Sequence, residues 1–196
     1  MIEVVRAADL GEKHRRALAE IFVDGFGPEF SAFSKDPVRL TDAFEHALPL
    51  DLYWVALVGG QPAGITALTD GTRLSFQHNG RELRRHLGLL KGTFADIAFR
   101  STFSGTLPSA RDGLASLEFV ATSAKHRGQG VGTVLLSHLL ALPQYDEYVL
   151  EEISDINAPA LHLYEKLGFR EYKRKKVYHT PWSGINYYIS MRLVQS

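Results

Sequence analysis

The chain has 196 residues, 45% of them hydrophobic, enough for one domain with a sizeable core. Lys and Arg number 22 and balance 22 Asp and Glu, so no overall basic field points to nucleic acid. Cysteine is absent, which excludes disulfides, cysteine-based metal sites and a cysteinyl acyl-enzyme, and no apolar run approaches the roughly 20 residues needed to span a bilayer.

The first ten residues lack the basic and apolar regions of a signal peptide, so a cytoplasmic location is expected. Residues 2–6 read as a strand, and residues 11–26 as a helix with Leu18, Ile21, Phe22 and Phe26 on its inner face. Residues 36–48 read as a second helix with Pro37 in its first turn, where a missing N–H costs nothing. The loop between these helices carries Phe26, Phe30 and Phe33, which either line a pocket or pack into the core. A hairpin follows, with strands at 53–58 and 63–69 joined by Gly59-Gly60-Gln61-Pro62. About 40 residues then separate it from a strand at 113–122, where a short turn would suffice. Leu83, Leu87 and Leu90, then Phe94, Ile97 and Ala98 recur there at helical spacing, predicting a helical insertion around residues 73–110. A helix at 134–142, a strand at 148–153, a helix from Asn157 to Gly168 and an antiparallel pair at 170–178 and 186–194 complete an alternating order without internal repeats.

The stretch His126-Arg127-Gly128-Gln129-Gly130-Val131-Gly132-Thr133 lies between a strand and a helix. The first amides of a helix have no internal partner and carry partial positive charge, and glycines let the main chain approach phosphate oxygens. A pyrophosphate ligand is therefore expected. A P-loop would need a Lys that is missing, and a dinucleotide fingerprint starting at Gly128 and Gly130 meets Thr133 where its third glycine belongs. The pattern [QR]-x-x-G-x-[GA] fits fully as Arg127-x-x-Gly130-x-Gly132. It resembles the acyl-CoA loop of the GNAT N-acetyltransferase superfamily.

A second stretch strengthens the resemblance. Asn157-Ala158-Pro159-Ala160-Leu161-His162-Leu163-Tyr164-Glu165-Lys166-Leu167-Gly168-Phe169 is similar to the superfamily's helix ending in Y-E-K-L-G-F. Asn157 suits a helix N-cap, Pro159 the first turn and Gly168 the stop. Ala160, Leu163, Tyr164 and Leu167 share one helix face, so Tyr164 is also readable as a core aromatic.

The resemblance implies a single domain over residues 1–196, α/β (α+β) in class, with a mixed, mostly antiparallel central sheet flanked by helices. It implies acetyl-CoA as cosubstrate, no metal, and acetyl transfer to a primary amine by direct attack in a ternary complex. The acceptor is a small-molecule amine or a peptide or protein amine, with neither nucleic acid nor membrane as partner, and the protein is a monomer or homodimer. By the same resemblance the cofactor is held by Arg127, Gly128, Gln129, Gly130, Val131, Gly132, Thr133 and Asn157, and backbone amides beside a bulged strand, around Val120, Ala121 and Thr122, pair with the pantetheine arm and polarise the thioester carbonyl. Tyr164 is placed to protonate the departing thiolate. Arg and Lys of the insertion are either a solvated face or contacts to the adenine-side phosphate or a partner.

An alkylamine is neutral in only on the order of one molecule in a thousand at pH 7, so a base helps. Glu118 sits in an otherwise apolar strand, on the side opposite Phe119 and Ala121 by the period-two rule, where partial burial would raise its pKa. Glu151 and Glu152 on the neighbouring strand compete for the role. His138 and His162 belong to no cluster with metal-ligand spacing, and Lys173-Arg174-Lys175-Lys176 reads as a solvated sheet edge. Two other functions fit the loop less fully: an acyl-CoA-sensing module without catalysis, and a dinucleotide-dependent oxidoreductase, which Thr133 disfavours.

Overall fold

The computed structural model describes residues 1–102, 111–177 and 184–195. The expected insertion's stretch 103–110 and the strand end at 178 lie outside the described residues. Among the described residues seven strands form one sheet: β1 (Ile2–Arg6), β2 (Tyr53–Val58), β3 (Gln61–Thr69), β4 (Leu114–Thr122), β5 (Glu147–Ser154), β6 (Arg170–Lys176) and β7 (Tyr187–Val194). Their spatial order is β1-β2-β3-β4-β5-β7-β6. Every pair is antiparallel except β4 with β5, as the expected mixed, mostly antiparallel sheet requires. Among the described residues seven α-helices flank it: α1 (Ala7–Leu10), α2 (Arg15–Phe26), α3 (Pro37–Phe44), α4 (Gly80–Leu87), α5 (Leu89–Thr102), α6 (Val131–Leu140) and α7 (Ala158–Lys166).

The two sheet faces bury different cores. On one face α2 and α3 cover Val55, Ile65, Ala67 and Ala121, and Phe22 is the hub of an aromatic cluster. Its ring lies 5.2 to 6.0 Å from those of Phe26, Phe30, Phe44, Phe76 and Phe119. On the other face α6 and α7 lay Leu136, Leu139 and Tyr164 against Leu68, Ala115, Leu117, Tyr148 and Leu150. Alternation along β4 sends Ala115 and Leu117 to this second core and Ser116 to the first.

The insertion is helical, but its periodicity misreads one half. Leu83 and Leu87 of α4 are buried, whereas Leu90, Phe94 and Ile97 of α5 are 89%, 62% and 63% exposed. Gly88, at φ +85°, ends α4 and starts a second helix with a new phase. The α5 face turned to the core is Ala95, Asp96 and Phe99, with Ala98 half-buried. Gly92 forms the contact with α4, since a Cβ there would lie 2.4 Å from Arg84 Cα. Arg84 and Arg100 both close on Asp96, so these two insertion arginines are structural ion-pair partners.

Two strands bulge. In β4, Phe119 takes φ +53° and the β3 register skips between Ile65 and Ala67. In β5, Glu152 takes φ +53° and the β7 register skips between Leu150 and Ile153. β4 and β5 pair only at Leu114–Glu147, Ala115–Tyr148 and Ser116–Val149, and both bulges lie beyond these pairs. The flank of β4 facing β5 is therefore unpaired from Leu117 onward.

Candidate functional site

The glycine-rich loop sits where the sequence places it. A turn at Ala124–His126 leads out of β4, and Gly130 caps α6 in the left-handed conformation at φ +78°. That conformation is costly for a residue with a Cβ and open to glycine. The first hydrogen bond into α6 runs from Val134 N to Gly130 O at 3.0 Å. Among the described residues no group accepts from the amides of Gly128, Gly130, Val131, Gly132 or Thr133. Gly128, Gln129 and Gly130 are exposed, Gly132 and Thr133 half-buried and Val131 buried, so most of this cradle opens outward. Unpartnered amides at a helix N-terminus fit a diphosphate.

Side chains of the loop are less available than its backbone. The Arg127 guanidinium donates to Asp24 O of α2 at 2.6 Å, and Gln129 Nε2 donates to Lys125 O at 3.0 Å. Both brace the loop. The second signature packs directly against the first, because a Cβ on Gly132 would lie 3.1 Å from Leu163 Cδ2 of α7. Asn157 caps α7, its Oδ1 accepting from Ala160 N at 3.3 Å. Tyr164 is 5% exposed, stacks edge-on to Phe169 at 6.1 Å, and has its hydroxyl pKa pushed up by burial. Its hydroxyl has no hydrogen-bond partner among the described residues.

Glu118 lies on the opposite face of the sheet from Tyr164, and its expected orientation needs correction. Period-two alternation would set it opposite Phe119 and Ala121, yet it pairs across β3 with Ala67, on the same side as the Ile65–Ala121 pair. The left-handed Phe119 inserts an extra residue, so Glu118, Phe119 and Ala121 all turn to the α2 side. Phe119 packs on Phe22, Phe26 and Phe76. Val120 packs on the other face with α6 and α7, and Thr122 pairs with Gly64. Burial raises the Glu118 pKa, opposed by the hydroxyls of Ser75 and then Ser116.

The competing carboxylates are occupied elsewhere. Glu151 accepts from Ser190 Oγ at 2.6 Å and from the Tyr172 hydroxyl, and Glu152 pairs with Lys175 Nζ at 3.1 Å. Of the aromatics between α2 and α3, Phe30 and Phe33 are buried core residues and Phe26 is half-buried beside Phe119. His138 and His162 are exposed, the first with its ring 5.3 Å from that of Trp54. The β6 positions are all exposed, a solvated sheet edge as read from its basic run. Two features carried no local sequence signal: the position of the β4 bulge at Phe119, which turns Glu118, and the approach of Ser75 to Glu118 from 43 residues away.

A family model described as "Acetyltransferase (GNAT) family" matches residues 15–169. Streptothricin acetyltransferase from Streptomyces lavendulae is 32% identical over 69 residues, which are 34% of this chain and 36% of that protein. The chain thus spans about a third of the curated relative it matches. An N-acetyltransferase from Staphylococcus aureus Mu50 superposes with TM-score 0.61 at 20% identity, covering 97% of this chain and 100% of that one. The ribosomal-protein-S18-alanine N-acetyltransferase from Escherichia coli gives TM-score 0.57 at 19% identity, covering 100% and 95%. The Salmonella typhimurium protein yncA, solved with its cofactor acetyl-CoA, gives 0.57 at 15% identity, covering 100% and 94%. At these identities the structural likenesses speak for the fold.

Proposed function

The chain belongs to the GNAT acetyltransferase family, and from that premise we propose that it transfers the acetyl group of acetyl-CoA to a primary amine by direct attack in a ternary complex. The observation that carries this reading is the set of unpartnered amides of Gly128, Gly130, Val131, Gly132 and Thr133 at the start of α6, packed against the Tyr164 helix through Gly132 and Leu163. Those amides would hold the diphosphate, and the unpaired flank of β4 around Val120, Ala121 and Thr122 would receive the pantetheine arm. Acetyl-CoA supplies the acetyl group as an activated thioester.

The remaining roles fall to this chain's own residues. Glu118 Oε accepts the ammonium proton of the acceptor, directly or through water. Its raised pKa makes it a stronger base than an exposed glutamate. Tyr164 Oη keeps a proton for the leaving sulfur, and burial secures that proton by disfavouring the phenolate. The two residues work from opposite sheet faces, and the separation of β4 and β5 after Ser116 and Val149 is the opening between them.

The acceptor is read as a small-molecule or peptide amine. Streptothricin acetyltransferase favours the first by sequence, and the S18-alanine enzyme offers the second by fold. The test is thiol release from acetyl-CoA across a panel of streptothricin, a polyamine and a peptide with an N-terminal alanine, with Glu118→Gln assayed on whichever is acetylated. Turnover with at least one amine, and loss of the acidic limb of the pH–rate profile in the variant, are expected. Tight acetyl-CoA binding without turnover on any amine would favour an acyl-CoA-sensing module instead.

A further inference from the structure

Glu118 would be a poor base if its carboxylate were free to swing between the buried aromatic cluster and solvent. The segment between β3 and α4 prevents that. It crosses the end of the sheet under restraint at four places. Thr69 Oγ1 donates to Arg73 O at 3.1 Å, and the buried Tyr53 hydroxyl donates to Ser75 O at 3.0 Å. Gln77 N donates to Ala47 O at 2.8 Å, and Asn79 N donates to His46 Nε2 at 2.9 Å. Ser75 lies at the middle of this segment, 3% exposed, and its hydroxyl donates to Glu118 Oε2.

Resting on the reading of Glu118 as the base, we propose that Ser75 is a positioning residue which aims the Glu118 carboxylate and holds it ready to accept a proton. A donor fixed on a carboxylate stabilises its ionised form, so it opposes the effect of burial. Ser116, fully buried on the same strand face as Glu118, adds a second and smaller hydroxyl contribution from β4 that also opposes the effect of burial. The other elements around Glu118 contribute little charge. β3 offers Ala67 and the Thr66 hydroxyl, which donates to Glu118 O at 3.0 Å, and α2 turns Phe22 and Phe26 toward Phe119. Among the described residues Tyr53 is the titratable group coupled to Glu118, and it stays protonated because burial and then the Glu118 charge both raise its pKa. The extra 40 or so residues of this chain thus begin by supplying a part of the site.

The experiment compares wild type, Ser75→Ala and Ser75→Thr. Carboxyl carbons are followed by NMR in protein labelled with 13C-glutamate, with Glu118→Gln assigning the resonance. The pH–rate profile is measured with acetyl-CoA and streptothricin, or with the alanine peptide if that is the amine acetylated. In Ser75→Ala the Glu118 carboxyl should titrate about one pH unit higher, the size expected from losing one hydrogen bond to a charged group. The acidic limb should move with it, and Ser75→Thr should restore both. An unmoved carboxyl titration in folded Ser75→Ala overturns the role of Ser75. A moved titration with an unmoved acidic limb overturns instead the assignment of Glu118 as base.

Discussion

Single residues at the site are legible to different degrees. Gly130 was readable because a helix start that binds phosphate needs glycine, and its φ of +78° shows the conformational reason. Nothing lies within 4 Å of a Cβ added there, so a substitution meets strain and ligand rather than neighbours. Gly130→Asn and Gly130→Asp carry similar strain and differ in charge. Calorimetry should show the Asp variant binding acetyl-CoA roughly tenfold or more weaker than the Asn variant, since a carboxylate opposes the phosphates at a helix N-terminus. Tyr164→Phe keeps the contact with Phe169 and deletes the proton donor. Its kcat should fall by about 10²–10⁴ while acetyl-CoA affinity stays within about twofold. Glu118 carries a stability consequence as well. A carboxyl whose pKa is raised on folding favours the folded state below its unfolded pKa, and that contribution is lost as pH rises through the folded value. Glu118→Gln should therefore melt higher than wild type at pH 7–8, with the difference shrinking below the unfolded glutamate value of about 4.3. Thermal melts across pH check the sign.

At the scale of elements, local patterns named the helices and strands, while the interruptions were set by packing. The insertion read as one amphipathic run, and the run is real for Leu83 and Leu87 of α4. Gly88 resets the phase, so α5 turns Phe99 inward and Ile97 outward. Phe99→Ala should cost about 3–5 kcal/mol because it empties a site ringed by Phe30, Phe33, Phe44 and Phe76. Ile97→Ser, two residues away, should change stability by no more than about 0.5 kcal/mol. Denaturant titration of the two variants decides between the observed phase and the one expected from spacing. The β4 bulge is implied by the resemblance but not by local pattern, since Leu-Glu-Phe-Val-Ala reads as plain alternation. Its extra residue places Glu118 on the same face as Ala121, which no two-residue period predicts.

For the whole molecule, the two cores lie on opposite faces of the sheet, and the proposed cofactor site follows the line where β4 and β5 part. A ligand seated there would tie both halves together. Acetyl-CoA at about 100 times its Kd should add about 2.7 kcal/mol to folding stability and raise Tm by roughly 5–10 °C in a domain of this size. A thermal-shift series with acetyl-CoA, desulfo-CoA, NAD and ATP checks this, and a larger shift with NAD would return the dinucleotide reading to contention.

The sequence by itself determined what depends on neighbours along the chain. Glycine spacing after β4, the Asn157 cap, the face carrying Tyr164 and the apolar alternation of the strands are local properties, and together they identified the family. Tertiary structure decided what depends on distant partners. Whether Glu118, Glu151 or Glu152 is free to act rests on Ser75, Ser190, Tyr172 and Lys175, all remote in sequence. The gap between β4 and β5 likewise arises because one parallel pairing ends after three residue pairs, beyond which each strand carries a bulge in its pairing with its other neighbour. Hydrogen-bond ladders and bulges are agreements between strands, and no single strand's sequence contains them.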